Sequence, residues 1–441
     1  MRTPHAAVEM VTAFVSTLVA GMSLLLPIDF AWSSESTPLQ LDMLAFSVPR
    51  AIAVGAIIAV LIAVFATTIN HALAAWGSAL AGVVIMLINH LAGHGASPVA
   101  PLSTLNFVDS IAGGMLLGGI AAAVLRGRMQ VFGWTLGALT SFVVSAALPV
   151  AHAANPFEPV PAHLPSVDYP PLWLIEATLV LVAIGTLVNR RRTGIERRAV
   201  ELPMAPIVAG MLYIGVALFG AQWLAGRTAS GFDIVLAVAL TAVTAMIAAM
   251  LLPRRDGTLV LLAVALSSVG SAIVPTQVPG WSAWILVVLL AVGILLGFRL
   301  PAPLLAMAAL ALLAVVGALS SGDHGRLHVA AIGAALALTG GFSFGCAAPR
   351  YNPTRVLGVA IVLGSSVVLA VRGRGEFGAA VIGGTHWSSG PPPMAQSAVA
   401  YWMALAITVC CALSLLALRH WRKITGTPQK PVDSEELPKD S

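Results

Sequence analysis

Apolar residues in this chain run on for about 17 to 21 positions at a time, with short polar breaks between the runs. An α-helix rises 1.5 Å per residue, so about 20 such residues cross the hydrocarbon core of a bilayer. On that measure the runs at 10–27, 51–68, 73–91, 107–125, 131–150 and 172–188 each predict a membrane-spanning helix. After a basic break they resume at 204–224, 233–252, 258–275, 281–297, 303–319, 327–347, 355–371 and 398–418. The pattern predicts an all-α polytopic membrane protein with about 14 transmembrane helices. The first run lacks a small-residue cleavage site and is expected to be a retained helix rather than a signal peptide.

Composition narrows the function classes. Of 441 residues, 58% are hydrophobic and 9% charged, which excludes an ordinary soluble enzyme, a disordered chain and a nucleic-acid-binding protein. The net charge of +5 reflects topology rather than a polyanionic partner, because the arginines cluster in the breaks. Arg126 and Arg128, the five arginines within 189–198, Arg254, Arg255, Arg299, Arg350, Arg355 and the stretch 419–423 all fall on one side when fourteen spans are threaded. Arg50, Arg227, Arg326, Arg372 and Arg374 are the exceptions. The positive-inside rule then places both termini in the cytoplasm. Abundant alanine, and arginine far in excess of the three lysines, point to a GC-rich bacterial genome and the plasma membrane.

Two stretches share a glycine spacing. Gly113, Gly114, Gly118 and Gly119 lie in the fourth span, and Gly340, Gly341 and Gly345 in the twelfth. Glycines four apart share a helix face and let a neighbouring backbone come close, so Gly114, Gly118, Gly341 and Gly345 are candidate helix-packing residues. The twelfth span is the fourth of the last six, which predicts two parallel six-helix repeats plus two linking helices. The expected organisation is a six-helix bundle at 1–188, a basic loop with two linking helices at 189–257, a second bundle at 258–423 and a disordered tail at 424–441.

This arrangement, with tight connections at 68–72 and 297–303, the sequence Gly297-Phe298-Arg299 and the glycine series from Asp109 to Gly119, resembles the fourteen-helix drug/proton antiporter branch of the major facilitator superfamily. The chain departs from the family where 68–72 lacks both an acid and an arginine, where Asp109 replaces an expected arginine, and where the fifth span lacks a Gly-Pro pair. The resemblance implies a secondary transporter.

Ionisable residues within spans are costly and therefore functional candidates. Asp29, His90, Asp109, Glu176, Asp233 and His328 all fall near outer span ends in this threading. Glu176 is the most embedded along the sequence, and Glu176 and Asp109 are the candidate proton-coupling residues. Two Asn-His pairs, Asn70-His71 and Asn89-His90, flank the third span and are expected to cap helices. Cys346, Cys410 and Cys411 carry neither a metal spacing nor a disulfide framework. No phosphate-binding glycine loop is present, so no cofactor is expected.

The near-absence of charge in the spans suits export of an amphipathic or lipid-like small molecule. The expected partners are that solute and membrane lipids, with no nucleic acid. An alternative is a glycosyltransferase using lipid-linked sugars, for which acids of the first outer loop, Glu35 and Asp42, would serve. Those acids are isolated, and no large outer domain follows. A non-transporting scaffold for cell-envelope assembly is the third reading.

Overall fold

The computed structural model describes residues 3–26, 38–95, 102–147, 169–190, 204–225, 230–253, 256–273, 280–320, 326–347, 349, 351–372 and 393–424. Among them the chain is all-helical. The first group of helices is α1 (Thr3–Leu25), α2 (Pro38–Ile69), α3 (Ala72–Gly95), α4 (Leu102–Val124), α5 (Arg128–Ala147) and α6 (Leu172–Asn189). Next come α7 (Ala205–Ala225) and α8 (Gly231–Leu251). The last group is α9 (Asp256–Ile273), α10 (Ala283–Arg299), α11 (Pro303–Leu319), α12 (Arg326–Ala347), α13 (Asn352–Leu363), α14 (Val367–Arg372) and α15 (Pro393–Ile424). Thirteen segments are long and apolar enough to cross a membrane, with α13 and α14 together forming one, and the 17-residue α11 is a shorter apolar helix. The tail at 424–441 and the loop at 191–203 lie outside the described residues, apart from Ile424 at the end of α15.

Two elements depart from the hydropathy pattern. Helix α2 begins at Pro38, about three and a half turns before its predicted start at residue 51. Gln40, Asp42, Ser47 and Arg50 lower the hydropathy there without stopping the helix, and Pro49 sits inside it. The predicted span 355–371 is divided. Gly364 is extended at φ −72 and ψ 167 and ends α13, and the Ser366 hydroxyl accepts the Val368 N–H at 3.3 Å as the chain turns into α14.

Packing relations within the first six helices recur in the last group. Helix α1 lies on α4 and α5, α2 on α4, α3 on α4 and α6, and α1 on α6. Correspondingly, α9 lies on α12 and α13, α10 on α12, α11 on α12 and α15, and α9 on α15. Between the groups, α2 meets α13 and α5 meets α10, a reciprocal pairing of second and fifth members. Helices α7 and α8 pack on each other; α7 also lies on α2 and α14, and α8 on α9 and α15. Burial is concentrated in α4 and α9, at 78% and 83% of their spans, against 22% for α6.

Glycine makes the closest seams. A Cβ at Gly114 would overlap the carbonyl of Gly55, and one at Gly118 the carbonyl of Ala59, so α2 and α4 meet backbone to backbone. At the corresponding α10–α12 seam, Gly341 faces the carbonyl of Leu290, Gly345 that of Ile294, and Gly293 that of Leu338. Lipid tails are as apolar as leucine, so association rests on such contact and its van der Waals and Cα–H···O terms. A second seam uses a ring and a hollow. The Trp76 ring of α3 fills the space at Gly185 of α6, whereas in the last group Gly317 of α11 is the hollow and Tyr401 of α15 the ring.

Gly118→Leu and Gly345→Leu are each expected to destabilise the fold by about 3 kcal/mol, because backbone carbonyls cannot move aside as side chains do. Gly77→Leu, which meets nothing within 4 Å, serves as the control. Thermal unfolding of the detergent-solubilised protein, followed by size-exclusion chromatography, reads the difference.

Candidate functional site

One face of α4 carries Asn106, Asp109, Ser110 and Gly113, spaced so that they line up toward α1, α2 and α3. Gly113 brings α1 close, and the Ser23 hydroxyl donates to the backbone carbonyl of Asp109 at 2.8 Å. From α3, the Asn89 amide donates to the Leu105 carbonyl at 3.0 Å, fixing the two helices in register. One residue on, His90 Nδ1 lies 3.1 Å from the Met86 carbonyl and 3.6 Å from Asp109 Oδ1. Both side chains are sealed, at 0% and 1% exposure. Neither Asp109 carboxylate oxygen accepts a hydrogen bond among the described residues. A lone carboxylate in such a place is costly, and the imidazole is the group beside it that can carry a positive charge. A cleft of about 10 Å³, room for one water molecule, borders this turn of α4 and is lined by Ser23, Asn106 and Ser110 with Val48 and Ala51 of α2.

The other end of the bundle holds a different polar set. Gln130 of α5 donates to Glu9 of α1 at 3.2 Å, and Thr354 of α13 donates to Asp256 of α9 at 3.0 Å. These join the first and fifth helices of each group at the same end. The start of α13 also reaches across to the first group: the Asn352 amide donates to the Leu125 carbonyl at 3.0 Å, and Tyr351 and Thr67 share a hydroxyl hydrogen bond at 3.3 Å. Arg355 donates to the Pro349 carbonyl at 2.8 Å, and its Nε has no hydrogen-bond partner among the described residues.

The sequence candidates separate accordingly. Asp109 is inside the bundle. Glu176, although the most embedded along the sequence, is exposed on the outer surface of α6. Gly114 and Gly118 lie at the α2–α4 seam and Gly341 and Gly345 at the α10–α12 seam. Asp233 forms a capping box with Ser230 at the start of α8. Of the Asn-His pairs, only the first is at a helix boundary. Asn70 adopts φ 54 in the tight turn after α2, and His71 Nδ1 accepts the Leu73 N–H at 3.1 Å. The expectation of capping fails for Asn89 and His90, because α3 continues to Gly95 and turns both side chains toward α4. All three cysteines are free. Asp29 and Glu35 lie outside the described residues, as does the side chain of Asp42. Among the described residues no cluster of three or more His, Cys, Asp or Glu could hold a metal ion. The pairing of His90 with Asp109 and of Asp256 with Thr354 had no signal in sequence spacing.

No protein-family model matches the chain, and no curated protein matches it. A search of solved structures finds tetrameric PepTSo2, 14% identical, with a TM-score of 0.46, covering 95% of this chain and 98% of that one.

Thr354→Val is expected to cost about 1–3 kcal/mol, since it leaves a buried Asp256 oxygen without that donor, whereas Thr354→Ser should stay close to wild type. Melting temperatures of the purified variants in detergent check both.

Proposed function

We propose that the protein is a multi-pass secondary transporter of the bacterial plasma membrane that exports amphipathic or lipid-like small molecules against proton entry, with Asp109 as the proton-coupling group. The observation that carries this is the sealed Asp109–His90 contact, an ionisable pair held inside the helical bundle. Such groups are costly in a membrane and are retained where they serve ion or proton movement. The recurrence of packing relations supports two six-helix repeats, 1–188 and 258–423, with α7 and α8 in the linking segment 189–257. Both termini are then cytoplasmic, and the Asp109 end of the bundle faces outward. The buried core is built mainly of alanine, valine and leucine, and a cargo with a large apolar part suits a bundle of that composition. Glu176, exposed on α6, is the weaker coupling candidate.

The test is efflux of a lipophilic cationic dye from cells producing the protein, with and without a protonophore. Protonophore-sensitive efflux above the empty-vector level, reduced at least tenfold in Asp109→Asn and retained in Glu176→Gln, is the expected result. Loss in Glu176→Gln with retention in Asp109→Asn would move the coupling site to α6. No flux of the dye or of fluorescent lipids, together with stoichiometric co-purification of an envelope protein, would replace transport by a scaffolding role.

A further inference from the structure

We propose that His90 is the second half of the coupling site: Asp109 and His90 bind one proton as a unit. The inference rests on the transport reading above but concerns the ion and its binding group, which can be tested without flux.

The geometry assigns the ring. His90 Nδ1 lies within reach of the Met86 carbonyl and beside an Asp109 carboxylate oxygen. A carbonyl only accepts, so Nδ1 carries hydrogen and the exchangeable position is Nε2. With one proton added at Nε2, the pair is an imidazolium beside a carboxylate and has no net charge. With that proton released, the imidazole is neutral and a single negative charge remains on Asp109. The cycle moves one proton and nothing else, between a neutral loaded state and a charged unloaded state. Only the loaded state avoids burying an uncompensated charge, so emptying the site requires water or cargo to reach it. A sodium site would instead surround the ion with oxygens, whereas here a ring nitrogen lies 3.6 Å from Oδ1.

No other described charged group faces the pair. On α1, Glu9 is bonded to Gln130 at the far end. On α2, Arg50 lies over the Phe46 ring and donates to Gln222 of α7. Helices α5 and α13 bring Arg128 and Arg355 only to the opposite end of α4, where Asn352 meets Leu125. Glu176 of α6 is on the outer surface, and His71 is at the other end of α3. The side chain of His94, one turn beyond His90, is outside the described set.

The experiment uses full-length protein labelled with ¹⁵N-histidine in lipid nanodiscs, and the difference spectrum between wild type and His90→Gln isolates the His90 ring. Titration between about pH 5 and 9 should show Nδ1 protonated throughout and Nε2 gaining a proton. In Asp109→Asn that titration should shift by at least about one pH unit. Exchanging potassium for sodium should leave the wild-type curve unchanged. A His90 ring silent across the range, a titration identical in Asp109→Asn, or a curve displaced by sodium would each overturn the inference. If Asp109→Asn does not fold, the wild-type titration and the sodium comparison still decide. A titrating pair in a protein with no dye efflux would refute the transport reading alone; proton-driven efflux with a silent His90 would refute this inference alone.

Discussion

A backbone buried in hydrocarbon has no water to fall back on, so each polar group must be satisfied within the protein. Helices meet that demand singly, but no hydrophobic force then draws them together. Close approach therefore has to be built in, and here glycine does it at the two corresponding seams, α2–α4 and α10–α12. Glycine also holds α4 against α3 on the face that carries Asp109, with Gly82 on the Ala112 carbonyl and Gly119 on the Ala79 backbone. Had α4 stood an ångström or two further out, the 3.6 Å contact with His90 would be a pair of separated polar groups in a dry interior. The Asp109–His90 contact thus depends on a feature with no chemistry of its own.

The two ends of the bundle use polar residues differently. At the basic end, hydrogen bonds run between helices of both groups, and the start of α13 touches α2, α4 and α9 within four residues. At the other end, the polar residues of α1, α3 and α4 gather inside the first group, around one carboxylate and one imidazole. The first set fastens the two groups to each other. The second leaves a charge-bearing site beside a cleft just wide enough for water.

Much of the fold was legible in the sequence, because membrane spans are specified by length and apolarity alone. The fourteen runs correspond to the helices, with differences where hydropathy and helix propensity diverge, as at the polar first turns of α2 or at Gly364. The glycine spacing signalled close packing but not the partner, since a small residue says nothing about which backbone it admits. The site was half legible. Asp109 stood out as an acid in a span, yet Glu176 looked deeper, because sequence depth does not tell which side of a helix faces lipid. His90 reads as a cap, but the helix continues past it to Gly95 through residues that hydropathy places at an interface. Asp256 and Thr354 are separated by 98 positions and belong to helices whose contact no local pattern encodes.

The ring-and-hollow seams have their parts exchanged between the groups: Trp76 on α3 fits Gly185 on α6, but Gly317 is on α11 and Tyr401 on α15. Two bundles with the same internal layout in one chain invite helices to dock on the wrong copy during membrane insertion. The exchange opposes that error. Helix α3 against α15 would set an indole against a phenol with no room for either, and α11 against α6 would leave two hollows facing each other. Each pairing accepts its own partner and rejects the other's, so two groups of helices with matching packing relations are kept distinct through complementary shape.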